Sequence, residues 1–154
     1  MKRILFSILF AVLASGVMAG PTISATLGEA TIKENSISGV SLVTVDWLSS
    51  STGACTATIG DVYGIVERIT IKPDSGATAP TNAYDATLSD VDGFDVLIGH
   101  GANLSSATLT SFASMVEETT SSGCVPVVVF GSLSLAITNA GDQNGGIIRL
   151  YMRP

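Results

Sequence analysis

The chain has 154 residues, thirteen acidic side chains against seven basic ones, and a mean hydropathy of +0.50 with 13% of residues charged. So acidic a chain repels phosphate backbones, which argues against nucleic acid as a partner. The two cysteines, Cys55 and Cys124, are 69 positions apart and fit no C-x-x-C metal or redox motif.

Residues 1–19 read as a secretory signal peptide. Lys2 and Arg3 form a positive start, 4–13 is an apolar run, and Val17-Met18-Ala19 is a small-residue cleavage site before Gly20. The run is shorter than the ~20 apolar residues a spanning helix needs, so no stable membrane span is expected after cleavage. The expectation is an exported chain, periplasmic or extracellular, with residues 20–154 as a single all-β domain. That stretch keeps Lys33, Arg68, Lys72, Arg149 and Arg153 against all thirteen acids, a net charge of −8. Behind an export signal the two cysteines read as one disulfide, Cys55 to Cys124, or else as two free thiols. A bond closing so long a loop would stabilise the fold by roughly 4 kcal/mol.

Beyond the signal the dominant pattern is alternation with period two, broken by Gly, Pro, Asn, Asp and Ser. Val43, Val45 and Trp47 share one face of a strand over Val40–Leu48, with Leu42, Thr44 and Asp46 on the other. Residues 62–71 form a second strand, ended by the turn residues Pro73, Asp74 and Gly76. The Pro-containing stretch 74–82 is expected to be the longest irregular connection. Next, Tyr84, Ala86 and Leu88 alternate towards Asp92-Gly93, and Phe94, Val96 and Ile98 alternate away from it. That pattern predicts a tight hairpin.

In residues 103–120, Leu104, Leu109, Phe112, Met115 and Val116 fall at helical intervals, which places one short helix near 104–118 ahead of another strand and loop. The many Ser and Thr residues there weaken it. Residues 125–137 return to alternation, with Val127, Val129, Leu133, Leu135 and Ile137 on one face and a bend or bulge at Gly131. A turn over 139–146 leads to a closing strand over 147–152. About eight short strands imply an antiparallel β-sandwich, with a small β-barrel as the alternative.

Little in the chain points to catalysis. His100, between Gly99 and Gly101, is the one histidine, and neither a Gly-x-Ser-x-Gly elbow nor a His-Glu-x-x-His helix accompanies it. Asp90-Val-Asp92-Gly93-Phe-Asp95 resembles the start of a calcium loop. Gly93 comes too early for an EF-hand, though, and Gly101 stands where a bidentate Glu is required. A two-carboxylate hydrolase using Asp85, Asp92 or Asp95 is the weakest of the readings. Hence no catalytic, cofactor or metal residue is assigned. Asn103-Leu104-Ser105 fits an N-glycosylation acceptor.

Four stretches carry a family likeness: Val45-Asp46-Trp47, the loop from Pro73-Asp74-Ser75-Gly76 to Tyr84-Asp85, the run Thr87 through Leu97, and Gly101-Ala102-Asn103-Leu104-Ser105. Over about residues 22–153 the chain resembles small tailed-bacteriophage virion proteins. The resemblance implies a many-copy structural subunit, a head decoration or tail-surface part, with no catalytic residue to carry over. The expected function is therefore a non-enzymatic subunit of a viral particle or extracellular assembly that self-associates or docks on a larger lattice. The alternative is a secreted bacterial β-sandwich module binding carbohydrate or a surface protein through the loops near 74–82 and 99–105.

Overall fold

A computed structural model describes residues 21–37, 39–117 and 123–153. The proposed signal peptide, 1–19, lies outside them. The described residues form nine strands: β1 (Thr22–Leu27), β2 (Glu29–Ile37), β3 (Val40–Leu48), β4 (Cys55–Pro73), β5 (Asp85–Ser89), β6 (Thr110–Phe112), β7 (Met115–Glu117), β8 (Cys124–Thr138) and β9 (Gly145–Arg153). A single 3-10 turn, Gly76–Thr78, is added to these. Every strand pairing is antiparallel.

The fold is an antiparallel β-sandwich. One layer is β2-β3-β9 with the second half of β4 and the short β6; the other is β1, the first half of β4, β8 and β5. The path from β2 to β5 stays open, so the sheet does not close into a barrel. Strand β4 joins the layers by running through both. Its inward-facing buried residues are Cys55, Ala57 and Ile59, then Val62 and Val66, then Ile69, Ile71 and Pro73. The parity changes twice, at register shifts between Ile59 and Val62 and between Val66 and Arg68. Each extra residue turns the strand over, so one strand keeps an apolar face inward while passing from layer to layer.

The chain also crosses between layers at Gly28, from β1 to β2. Its φ of +72 and the Leu48 carbonyl oxygen, which a Cβ would strike, leave room only for glycine. Trp47 and Tyr84 come from opposite layers, and their ring centroids meet at 5.7 Å inside one continuous cluster of buried side chains. The Tyr84 hydroxyl is enclosed without a hydrogen-bond partner, and burial pushes its pKa up from 10.0 to about 12. A value raised on folding means that the neutral phenol's contribution is complete below pH 10 and is lost as the pH climbs towards 12. An absorbance titration at alkaline pH is expected to show one late-ionising tyrosine, its ionisation coinciding with loss of near-UV circular dichroism. A Tyr84→Phe variant that keeps this late phase would contradict the assignment.

The alternation read in β3 and β8 holds: Val43, Val45 and Trp47 are buried, as are Val127, Val129, Leu133, Leu135 and Ile137, with Gly131 at φ +111 in the bend. Three expectations are corrected. Among the described residues of the expected 104–118 helix no helix forms; they are bends followed by β6 and β7. Ser and Thr there favour local turns, as when Ser105 Oγ accepts the amides of Ala107 and Thr108. The predicted hairpin keeps its turn but loses its second arm: β5 pairs with β8, and beyond a single bridge, Ser89 to Asp95, the chain folds into further turns. The connection from β5 to β6, not 74–82, is therefore the longest irregular one.

The third correction concerns the cysteines, which are both free, Cys55 buried and Cys124 exposed. Cys55 opposes Ile137 at one end of β8, and Cys124 begins that strand at the other, thirteen residues away. At ~3.3 Å per residue this is on the order of 40 Å of strand, far beyond disulfide reach. Burial pushes the Cys55 thiol up in pKa, and its Sγ donates to the Glu29 carbonyl at 3.5 Å. Thiol titration is expected to label Cys124 rapidly in the native protein and Cys55 only on unfolding. Equal rates, or no free thiol in denaturant, would contradict this arrangement.

Candidate ligand-binding face

The outer surface of the first layer is fixed by strand register. Side chains of one parity line up across the strands in rows: Thr31, Asp46, Ile147 and Lys72; then Lys33, Thr44, Arg149, Thr70 and Ser111; then Asn35, Leu42, Tyr151 and Arg68. Arg153 continues the same side of β9. All five Lys and Arg side chains of residues 20–154 thus fall on one face of an acidic chain. Eight of these residues, from Thr31 and Lys33 across to Ile147 and Arg149, line a depression of about 380 Å³.

The charges on this face are largely unneutralised. Among the described residues the one salt bridge is Arg153 Nε to Glu67 Oε1 at 3.2 Å, between two exposed side chains at the edge. The Arg68 guanidinium lies 3.9 Å from the Tyr151 ring centroid, which covers that aromatic. Lys33, Lys72 and Arg149 form no ion pair with any described residue. Thr70, in the row of Arg149, is 6% exposed, and its Oγ1 is enclosed without a hydrogen-bond partner. Such a face offers charge-assisted hydrogen bonds from several cations, with Asp46, Asn35 and the threonines as further polar partners.

Of the two loops singled out from the sequence, the one over 74–82 lines a cleft. Residues Asp74 to Ala79 face Ser106, Ala107 and Leu109 across a space of about 420 Å³, with Lys72 at its wall. The 99–105 turn instead lies against the body: His100 stacks on Phe112 with centroids 4.4 Å apart, and the Asn103 amide donates to Asp85 Oδ1 at 2.8 Å.

The acids near the expected hairpin serve the backbone. Asp90 Oδ1 accepts the amides of Asp92 and Phe94, each at 2.9 Å. Asp95 accepts those of Leu97 at 3.1 Å and Gly99 at 2.9 Å, and Asp85 Oδ2 accepts the Asn139 side-chain amide at 3.0 Å. These bonds hold the turns of the long connection, which is ordinary work for Asp in place of strand hydrogen bonds. Asp92 lies exposed at the tip.

A second surface is apolar. Tyr63 pairs with Phe130 and Ile65 with Val128 across β4 and β8, all four on the outer side. Phe130 is 78% exposed and Val128 62%, and the Tyr63 and Phe130 rings meet edge to face at 5.0 Å.

No family model matches the chain, and no curated protein matches it. One solved structure similar to it is a carbohydrate-binding module of the β-sandwich superfamily, 12% identical, covering 91% of this chain and 60% of that one with a TM-score of 0.34. A likeness that distant assigns neither a residue nor a ligand.

Proposed function

We propose that the protein is a non-catalytic β-sandwich binding module that holds an extended ligand across the outer face of β2, β3, β9 and β4. The observation behind this reading is the gathering of every described cation on that face, around a groove, in a chain whose remaining surface is acidic. Cations spread at random would not leave the rest of the surface without one. Potential concentrated in a concave sheet face favours binding and steers ligand towards it. Native affinity electrophoresis against a panel of neutral and acidic polysaccharides tests the reading, with a reducing-end assay run in parallel. Retardation by at least one polymer, without release of reducing ends, is expected. Retardation by none overturns it, as does hydrolysis.

A second reading, a subunit of a many-copy assembly such as a virion, is favoured by the exposed strip of Tyr63, Val128 and Phe130, with the half-buried Ile65 beside them. Its occupant would be another copy of the chain. Light scattering over a concentration series would then show an oligomer that Phe130→Ser returns to a monomer. A wild-type monomer throughout removes the reading.

A further inference from the structure

Resting on the first reading above, we infer that the ligand of the cationic face is an acidic polysaccharide, a chain whose sugars carry carboxylate or sulfate groups. Lys33 on β2 and Arg149 on β9 occupy one row with β3 between them, which sets their backbones about 10 Å apart. One strand further, Lys72 and Arg68 flank Arg149 in the neighbouring rows of β4. The cations therefore lie at intervals, separated by polar side chains.

Those intervening groups choose among polyanions. Asp46, Asn35, Thr31 and Thr44 line the same depression as Lys33 and Arg149, so carboxylate, amide and hydroxyl groups alternate with the positive charges. A polymer that alternates anionic groups with hydroxyls satisfies both sets: its anions meet the cations, and its hydroxyls donate to Asp46 and exchange hydrogen bonds with the threonines. A DNA backbone has no hydroxyl donors for Asp46, so nothing along it offsets the repulsion between that carboxylate and an anionic chain. Single-stranded nucleic acid also needs open aromatic platforms, and Tyr151 is covered by Arg68. A neutral glycan would accept hydrogen bonds from the four cations that lack an ion pair among the described residues but would leave their charge unneutralised.

The test compares polygalacturonate, chondroitin sulfate, dextran, poly(dT) and duplex DNA in titrations with the full protein, at low and at 0.5 M salt. Either acidic polysaccharide is expected to bind, with affinity falling roughly tenfold or more at high salt and by a similar factor in the Lys33→Gln/Arg149→Gln double variant. Both side chains lie at the surface, so the double variant is expected to keep the wild-type melting temperature. Should it melt early, the salt dependence of the wild type carries the decision alone. Dextran bound as tightly as the acidic chains, or binding insensitive to salt, overturns the inference and leaves the binding module standing. Tighter binding of either nucleic acid overturns it in favour of a phosphate polymer. Failure of every polysaccharide to bind overturns both the inference and the reading it rests on.

Discussion

Replacing Trp47 with alanine is expected to destabilise the protein by about 3–5 kcal/mol, the range for losing a large buried aromatic. Trp47 is 1% exposed and spans the gap between layers to reach Tyr84 at 5.7 Å. It lies below the candidate face, one residue from Asp46, so its loss loosens β3 where that strand carries the centre of the groove. Against the typical 5–15 kcal/mol of a folded domain, this removes a large share. Urea unfolding should show a lower midpoint at unchanged slope. A loss under about 1 kcal/mol would mean that the two layers are not joined through this side chain.

Gly101→Ala is the smallest substitution for which a large cost is expected, about 3 kcal/mol, at the upper end for forcing atoms into packed space. A Cβ at Gly101 would collide with the Ala86 carbonyl oxygen, while the Gly101 carbonyl accepts the Ala86 amide at 2.7 Å. The collision lifts the long connection from β5, together with Val96, Leu97 and Leu104, which it delivers to the core. Gly93→Ala is the matched control. Its φ of +82 is unfavourable for alanine, but no atom lies within 4 Å of the added methyl. The control should cost only ~1–2 kcal/mol. Equal losses in the two variants would place the effect in backbone strain and not in the contact.

The sequence revealed local alternation and hid whatever depended on distant pairing. Period two in β3 and β8 identified the buried faces because Val43 to Trp47 and Val127 to Ile137 each turn one face into the core. Strand β4 was read only from residue 62, since Gly60, Asp61 and the small residues before them mask a strand that changes face twice. Strands β1 and β2 escaped notice for a related reason: most of their side chains are exposed and polar, so no apolar rhythm marks them. The hairpin failed through competition, because Asp95 offers its carboxylate to the amides of Leu97 and Gly99 and turns the second arm away.

The cationic face was not legible at all. Lys33, Arg68, Lys72 and Arg149 are scattered over more than a hundred positions and meet only because β9 inserts between β3 and β4. What the chain did disclose was their scarcity, five cations after the first nineteen residues. Scarcity becomes informative once strand order shows them on one side. The cysteines teach the converse. Two of them behind an export signal invited a pairing that the length of β8 forbids.

The claim that ligand lies across this face is tested most directly by mapping backbone amide shifts in nuclear magnetic resonance spectra as an oligogalacturonate is added. Perturbations are expected to concentrate in β2, β3 and β9 around Lys33, Thr44 and Arg149. Perturbations confined to the Tyr63 and Phe130 strip, or to the cleft between residues 74–79 and 106–109, would contradict it.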